Sequence, residues 1–407
     1  MRIIVTGVTR TGNLGGTAML CAVEQFLAPH ADDFALASIL PARDRAQVGP
    51  DSARIVNASY LYWLLFVTPL LVVFWPLRRV SLVRALLARL PLCRDFAVSD
   101  AVVDLSGIAF VDGRGLALLH YNFSLALPGL FFGVPVHKLS QAMGPFRGRL
   151  NRALASWVLS RCATVHARGT TTLQQLKELG IQGAILAPDT SFALDIYEQV
   201  RKRARQQLER IGDSAARALI IVSPSAVVNA HCNSAGVDML GTFSAVIADL
   251  ISRGFNVALL AHSTNTGISK NDDSKLVREL EDRVRLSGVR VRRLNPHGDP
   301  ALARALIAEA DVFVASRFHS MIAALSQAVP VVTVGWSHKY AEAAAPFGMD
   351  DFTIDYSELT PQRLTRLLDE LLVQRENLSD AMRDVANECY REARSGIATV
   401  LKGRRLK

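Results

Sequence analysis

The sequence predicts an α/β protein made of two Rossmann-like domains. Short apolar runs recur along the chain, and a helix-length segment separates each run from the next. With 407 residues, the chain is longer than one hydrophobic core usually serves. A charged stretch at 198–217 lies between two sheet-forming regions and is typical of a connector. We therefore expect an N-terminal domain over residues 1–205 and a C-terminal domain with a helical tail over 206–407.

The first predicted strand, residues 2–7, runs into a glycine-rich turn at Gly12–Gly16, and a helix follows as far as about Leu27. Glycines let a backbone approach a ligand closely, and a helix N-terminus favours anions. The spacing matches neither GxGxxG nor the P-loop. It therefore does not indicate a dinucleotide or an ATP γ-phosphate, and a tight turn without a ligand is the alternative.

The other strands of the N-terminal domain are expected at 101–107, 134–140, 164–170 and 184–189. The carboxyl ends of parallel strands meet at one edge of a sheet, where open α/β sheets bind ligands. The polar residues expected at that edge are Asn13, Asp104, Gln141, Arg168 and Asp189. Each one alone is better explained as a hydrogen-bonded turn residue, whereas together at one sheet edge they indicate a binding site.

The segment at 55–77 has no charged residue and is almost wholly apolar, within an insertion at about 55–92. Arg78, Arg79 and an amphipathic basic helix at 81–90 follow it. Its length allows a transmembrane helix, but two prolines and its position inside an α/β domain argue against one. We expect a wedge at a membrane interface, made by residues 60–90. Helices buried in the core or in an oligomer, and a true span, are the alternatives.

The second sheet is predicted to begin at Ala218, and its later elements alternate regularly. Helices are expected at 237–253, 275–286 and 300–309, strands at 256–262 and 289–294, a polar loop at 263–270 and a helical tail from about 361. The basic end at 401–407 is most simply solvated, although it could help at a membrane surface.

The last part of this second sheet carries the strongest functional signal. Val312–Ala315 and residues 331–334 are predicted strands, with a helix between them that Ser316 could cap. Both strands run the same way, so Arg317, His319 and Lys339 would gather at their carboxyl ends. Cationic side chains beside a helix N-terminus make an anion site.

Composition excludes several classes of protein. The net charge of +9 is dispersed and suits work near phosphates or an anionic membrane, but no nucleic-acid module is present. The five cysteines are scattered and form no CxxC pair, which fits a reducing cytosol and argues against a structural zinc site. The first seven residues read as a core strand rather than a signal peptide.

The order of these motifs resembles the polysaccharide pyruvyl transferase family over nearly the whole chain, and two facing α/β domains with a cleft resemble the GT-B architecture. The matching stretches are the turn Gly12–Gly16, Ser140–Phe146, Ala167–Gly169, Pro188–Phe192, the block Ser316–Leu325, Val329–Pro330 and Lys339. Two positions depart from the family pattern. Gly16 and Gly169 stand where the family often has acidic residues, so the first turn could bind its acceptor differently.

The resemblance implies transfer of pyruvate from phosphoenolpyruvate onto two sugar hydroxyls, as a cyclic ketal with release of phosphate. It implies His319 as general acid and Arg317 as a clamp on the donor, with no metal and no cofactor besides the phosphoenolpyruvate co-substrate. The further candidates are Arg168, Lys339 and Ser316 for the donor, and Gly12, Asn13, Gly16, Asp104, Gln141 and Asp189 for the acceptor or the cleft.

The expected partners are phosphoenolpyruvate and a glycan of a bacterial-type surface polysaccharide, which could be lipid-linked. The expected location is the cytoplasm, at the inner face of the plasma membrane. Two other functions stay open: a GT-B glycosyltransferase with a nucleotide-sugar donor, and a membrane-associated factor of polysaccharide assembly that is not an enzyme. The sequence does not predict the sugar or the oligomeric state.

Overall fold

The computed structural model describes residues 1–47, 53–209, 218–264 and 271–403. The chain forms two compact units. Unit 1 comprises Met1–Thr11, Met19–Leu194 and Arg391–Lys407, and unit 2 comprises Gly12–Ala18 and Asp195–Tyr390. The units thus divide at Leu194 rather than at residue 205. The glycine turn belongs to unit 2, and the chain from Arg391 onward belongs to unit 1.

Unit 1 contains one parallel sheet in the order β3-β2-β1-β4-β6-β7-β8, with the short β5 paired to β6. Its strands are β1 (Arg2–Thr6), β2 (Asp33–Ser38), β3 (Arg54–Asn57), β4 (Ala101–Asp104), β5 (Ile108–Ala109), β6 (Val136–Met143), β7 (Thr164–Arg168) and β8 (Ile185–Ala187). The predicted strands are confirmed. The sequence analysis identified neither β2 nor β3, which complete one wing of the sheet.

The helices of unit 1 cover both faces of this sheet or follow its strands. They are α1 (Leu14–Leu27, shared with unit 2), α2 (Pro41–Arg45), α3 (Tyr60–Tyr62), α4 (Thr68–Val73), α5 (Ser81–Leu87), α6 (Pro91–Val98), α7 (Leu116–Phe132), α8 (Arg149–Leu159) and α9 (Thr170–Glu178). A π-helical turn, Trp63–Val67, joins α3 to α4, so Tyr60–Val73 is continuously helical.

The apolar insertion is anchored in the core of unit 1. Trp63, Leu64, Val67 and Leu71 are almost completely buried. Trp75 packs edge-on against Trp157, with 4.7 Å between the ring centroids. Trp63, which lies within the wedge expected at residues 60–90, therefore faces the core of unit 1 rather than the surface. In the described part of the chain, no single helix has the length and apolarity needed to cross a membrane, and one bent pair, Ala226–Ser234 with Met239–Ser252, meets those criteria only jointly.

Unit 2 also contains one parallel sheet, in the order β11-β10-β9-β12-β13-β14. This is the strand order of the Rossmann fold. The strands are β9 (Leu219–Ser223), β10 (Asn256–Leu260), β11 (Arg292–Leu294), β12 (Val312–Ala315), β13 (Val331–Gly335) and β14 (Thr353–Asp355). The order reverses between β9 and β12, so the fold predicts a ligand site at the carboxyl ends of these two strands.

The helices of unit 2 alternate with its strands, as expected. They are α10 (Glu198–Leu208), α11 (Ala226–Ser234), α12 (Met239–Ser252), α13 (Asp273–Leu286), α14 (Pro300–Ala308), α15 (Phe318–Leu325), α16 (Lys339–Ala344) and α17 (Pro361–Lys402), of which α17 runs on into unit 1. Parts of three predicted segments, at 210–217, 265–270 and 404–407, lie outside the described residues.

Candidate active site

The switch point of the unit 2 sheet holds the motif that the sequence singles out. Every residue of β12 is buried, and the backbone N–H of Ser316 donates to the carbonyl of Ser223 at the end of β9 (3.0 Å). Ser316 does not cap the following helix. The N-cap residue is Arg317, and the buried hydroxyl of Ser316 makes no hydrogen bond within the described residues. The predicted cap was wrong because the chain turns one residue later.

Arg317 is held by a carboxylate that the sequence analysis missed. Its Nε and Nη2 donate to the two oxygens of Asp273, at 2.5 and 2.7 Å, and Nη2 also donates to the carbonyl of Asn271 at 3.1 Å. Asp273 is fully buried at the start of α13 and also accepts from the N–H of Ala226 (2.8 Å). Burial raises the pKa of the Asp273 carboxyl, and the Arg317 guanidinium opposes that shift. This bidentate pair fixes the direction of Arg317.

His319, the second residue of α15, lies against the glycine turn. A Cβ placed on Gly15 would come within 2.2 Å of Cγ and 2.3 Å of Nδ1 of the His319 ring, so only glycine fits there. The turn itself is tied to the loop after β10. The Leu14 N–H donates to the carbonyl of His262 (3.3 Å), and Thr264 N–H donates to the carbonyl of Gly12 (2.8 Å). Unit 2 therefore brings the turn and His319 together.

The remaining predicted residues of the glycine turn have local roles. Asn13 is exposed, and its side-chain oxygen accepts from the Gly15 N–H at 3.0 Å. Gly12 has a φ of +94°, which favours glycine. Gly16 is half-buried inside α1. Gly12 and Asn13 therefore shape the turn that holds Gly15 against His319.

A second histidine, His262, stands behind this group of residues. It is buried just beyond the carboxyl end of β10, and no hydrogen bond within the described residues reaches its Nδ1. Burial is the main cause that lowers its pKa well below the usual value, and the positive charges of His319, Arg317 and Arg304 lower it further. His262 is therefore neutral at physiological pH.

Lys339 is at the start of α16, after β13. Its ammonium group lies over three aromatic rings: Trp336 at 4.8 Å, Phe318 at 5.5 Å and Tyr340 at 5.5 Å from the ring centroids. Phe318 is the neighbour of His319 in α15, so this aromatic cluster connects the two helices. Cation–π contacts thus help to position the ammonium group of Lys339 beside the site.

Four of the polar residues predicted at the edge of the first sheet form two hydrogen-bonded pairs within unit 1, whereas Asn13 belongs to unit 2. Arg168 donates through Nη1 to Asp189 (2.6 Å) and through Nη2 to the carbonyl of Gly107 (2.7 Å). Asp189 also accepts from the N–H of Ser191 (2.9 Å) and caps a short 3₁₀ turn. Arg168 and Asp189 therefore form a buried ion pair at the carboxyl ends of β7 and β8.

Asp104 and Gln141 are completely buried within unit 1. Asp104 forms a fully buried ion pair with Lys138, and its other oxygen accepts from the Ser106 N–H at 2.9 Å. Gln141 donates to the Asp104 carbonyl at 2.8 Å. Each carboxylate oxygen of Asp104 thus has a partner inside the protein, which favours a structural role for this residue.

Sequence reasoning missed Asp273, His262 and Gly15. Two signals could have found them. His262 is the last residue of a predicted strand next to the switch point, and Asp273 comes two residues before a predicted helix, after consecutive polar residues. Gly15 had no such signal, because its need for glycine arises from a side chain some three hundred residues away. Within the described ranges, no three His, Cys, Asp or Glu residues are grouped as a metal site would require.

Comparison with known families decides how this site is classified. The model of the family described as "Polysaccharide pyruvyl transferase" matches residues 13–338, which include the glycine turn from Asn13 onward, Arg317 and His319. The chain belongs to the polysaccharide pyruvyl transferase family. The resemblance inferred from the motifs is thereby confirmed.

A curated relative of this pyruvyl transferase family member is the "Amylovoran biosynthesis protein AmsJ" of Erwinia amylovora. The two chains are 23% identical over 263 residues, which are 64% of this chain and 62% of AmsJ. The alignment thus spans less than two thirds of the length of the relative.

Solved structures confirm the fold expected for a polysaccharide pyruvyl transferase family member of GT-B type. The UDP-GlcNAc 2-epimerase of Neisseria meningitidis, solved with UDP-GlcNAc bound, has a TM-score of 0.62 at 14% identity and covers 99% of this chain and 100% of its own. The glycosyltransferase SnogD of Streptomyces nogalater has a TM-score of 0.50 at 14% identity, with 98% of each chain covered. At such identities the likeness concerns the fold alone.

Proposed function

We propose that this protein transfers pyruvate from phosphoenolpyruvate onto two hydroxyls of a sugar in a surface polysaccharide. The observation that carries the proposal is the placement of Arg317 and His319. Both follow β12 at the switch point of a Rossmann-ordered sheet, where such folds bind ligands. Both also lie inside the stretch that matches the pyruvyl transferase family.

The reaction needs a proton donor and an anion site. His319 gives a proton to C3 of the enol, C2 becomes cationic, and one sugar hydroxyl adds to C2. The bond from C2 to the phosphate oxygen then breaks, and the second hydroxyl closes the ketal. Of the two hydroxyl protons released, one replaces the proton taken up by C3 and the other leaves with phosphate. Imidazole suits this step because it titrates near neutral pH.

Arg317 and Lys339 supply positive charge for the carboxylate and phosphate of the donor. Asp273 orients Arg317 through two hydrogen bonds, and the aromatic cluster positions Lys339. Neutral His262 adds no charge behind them. A preorganised cationic group stabilises charge that develops on the leaving phosphate without reorganisation at the moment of reaction.

A glycosyltransferase that uses a nucleotide-sugar donor is the second candidate, because the same fold occurs in SnogD. In that case Arg317 and Lys339 would bind a diphosphate. An assembly factor without catalytic activity is the third. The purified full chain is incubated with phosphoenolpyruvate and a short or lipid-linked glycan, and in parallel with nucleotide sugars. We expect phosphate release, and a glycan mass gain of pyruvate minus water, only with phosphoenolpyruvate. Turnover with a nucleotide sugar alone, or with neither donor, would contradict the proposal.

The role of His319 is tested separately. His319→Gln should lower the turnover number by about 10²-fold or more, because the C3 proton loses its donor. His30→Gln is the control, since His30 is exposed in unit 1 and lies outside the proposed site. Full activity of His319→Gln with phosphoenolpyruvate would reject the role of the residue and leave the pyruvyl transfer itself intact.

A further inference from the structure

The helix Tyr60–Val73 exposes one face that is entirely apolar. Leu61, Phe66 and Val73 are 65%, 67% and 71% exposed, and Leu65 and Val72 lie on the same side. Their spacing follows the turn of a helix, so the side chains form one stripe rather than scattered positions. Single exposed apolar residues are ordinary on a protein surface, but a stripe of large ones indicates a partner.

The opposite face of this helix packs inside unit 1. Trp63, Leu64, Val67 and Leu71 are at most 2% exposed, and they contact the core that includes Phe96. The helix therefore cannot rotate to hide its outer stripe without leaving the core. Its axis is fixed along the surface of unit 1, as in a helix that lies in the plane of an interface.

Basic residues follow this stripe in the same insertion. Between Tyr60 and Arg94 the chain contains arginines and no aspartate or glutamate, and the basic positions are Arg78, Arg79, Arg84, Arg89 and Arg94. Arg78 lies over the ring of Trp75 at 4.5 Å, and Arg84 donates to the carbonyl of Phe132 at 2.7 Å. The helix α5 adds exposed Leu82 and Leu86.

We propose that this insertion face, the exposed side of Tyr60–Leu90, binds to the surface of an anionic lipid bilayer. Apolar side chains enter the boundary between head groups and acyl chains, and the arginines pair with lipid phosphates. A second copy of this chain fits less well. A two-fold contact would bring two arginine-rich faces together with no carboxylate between Tyr60 and Arg94 to offset them. The inference stands independently of the transfer chemistry.

Vesicle flotation of the full-length protein tests this inference. The probes are phosphatidylcholine vesicles with and without phosphatidylglycerol. We expect the wild type to float only with the anionic vesicles, and less so at high salt, because Arg79, Arg89 and Arg94 are exposed to screening. Leu65→Glu with Phe66→Glu should weaken binding at least ~10-fold, since both residues lose their apolar contact with the bilayer. The control Leu286→Glu changes a residue that is 87% exposed in unit 2, and it should bind as the wild type does.

Two further measurements complete the test. Arg79→Glu with Arg89→Glu should also abolish the preference for anionic vesicles, and circular dichroism should show that all variants stay folded. Equal binding of the wild type and the Leu65/Phe66 variant would overturn the inference. The inference would also be overturned if the wild type bound no vesicles and formed a dimer in analytical ultracentrifugation, and if the Leu65/Phe66 variant were a monomer. None of these measurements depends on pyruvyl transfer, so either proposal can fail alone.

Discussion

Gly15 is the residue on which the position of His319 depends most directly. An alanine methyl at this position would lie 2.2 Å from Cγ of His319, far inside van der Waals contact. Gly15→Ala should therefore displace the ring and lower turnover by about 10-fold or more. The free energy of unfolding should fall by about 1–2 kcal/mol, because the cost of overpacking exceeds the gain of up to about 1 kcal/mol in the helix propensity of α1. Steady-state kinetics and a urea titration would separate the two effects.

Gly183→Ala is the matched control, because no atom lies within 4 Å of a Cβ at that position. It should keep both activity and stability. If Gly15→Ala had wild-type turnover, the close packing of the turn against His319 would have no role in the reaction.

His137 makes the stability of unit 1 depend on pH. It is fully buried, its Nδ1 lies 3.0 Å from the Thr164 hydroxyl, and burial lowers its pKa to about 4. The unfolded chain takes up this proton near pH 6.5, whereas the folded protein does so only near pH 4. Stability is therefore complete above about pH 6.5 and falls as the pH falls through this window, by up to about 3 kcal/mol.

Urea unfolding at pH 7.5 and pH 5 measures this effect, followed by the fluorescence of Trp63, Trp75 and Trp157 in unit 1. His137→Gln should lose less stability between the two pH values than the wild type does. The difference between the two proteins isolates His137 from His166, whose pKa is lowered by burial as well. Identical pH dependence in both proteins would contradict the assignment.

The site residues that could be predicted from sequence are those that directly follow a predicted strand. Arg317 and His319 follow an apolar run and precede a helix, so their edge position follows from a parallel sheet alone. Asp273 could not be found in this way. It reaches Arg317 from a different helix, and nothing in the local pattern encodes a contact across more than forty residues.

At the scale of elements, the insertion shows where periodicity stops being informative. In Tyr60–Val73 both faces are apolar, so the pattern predicts a helix without indicating which side is buried. Trp63, which lies within the wedge expected at residues 60–90, packs against Phe96 with 6.1 Å between the ring centroids, while Phe66 is exposed. Strands β2 and β3 were missed for a related reason: short, weakly apolar segments acquire their strand form from neighbours in the sheet.

Substitutions on the two faces of the helix Tyr60–Val73 should therefore have very different effects on the free energy of unfolding. Trp63→Ala should lower the free energy of unfolding by about 3–5 kcal/mol, because it leaves a cavity in the core. Phe66→Ala, at an exposed position, should stay within about 0.5 kcal/mol of the wild type. Urea unfolding followed by circular dichroism compares them. Equal losses would mean that the helix does not pack in solution as described.

At the scale of the whole molecule, the two units repeat one topological scheme. In unit 1 the strand order reverses between β1 and β4, and in unit 2 it reverses between β9 and β12. If β5 is left out, the first strand of each sheet thus pairs with the fourth. The alternation of strands and helices predicted this class of fold. The unit boundaries could not be read from the chain, because α1 and α17 each begin in unit 2 and end in unit 1.

The end of α17 should be as important for unit 1 as one of its own central helices. Val400 and Ile397 are buried near the end of the helix at Lys402, and a Cβ on the next residue, Gly403, would lie 2.6 Å from Cε1 of His137. Val400→Asp would place an unpaired charge in the buried end of this helix and should lower the free energy of unfolding by about 3–5 kcal/mol. Val373→Asp is the control, since Val373 is 85% exposed in the same helix and should be nearly neutral.

The same substitution should also change the pH dependence. If Val400→Asp detaches the end of α17, water reaches His137 and its pKa moves back toward 6.5. The variant would then be less stable than the wild type at pH 7.5, and the difference would narrow at pH 5, because the folded form could bind the proton too. A destabilised variant with the full wild-type pH dependence would show that the sheet, rather than α17, excludes water from His137.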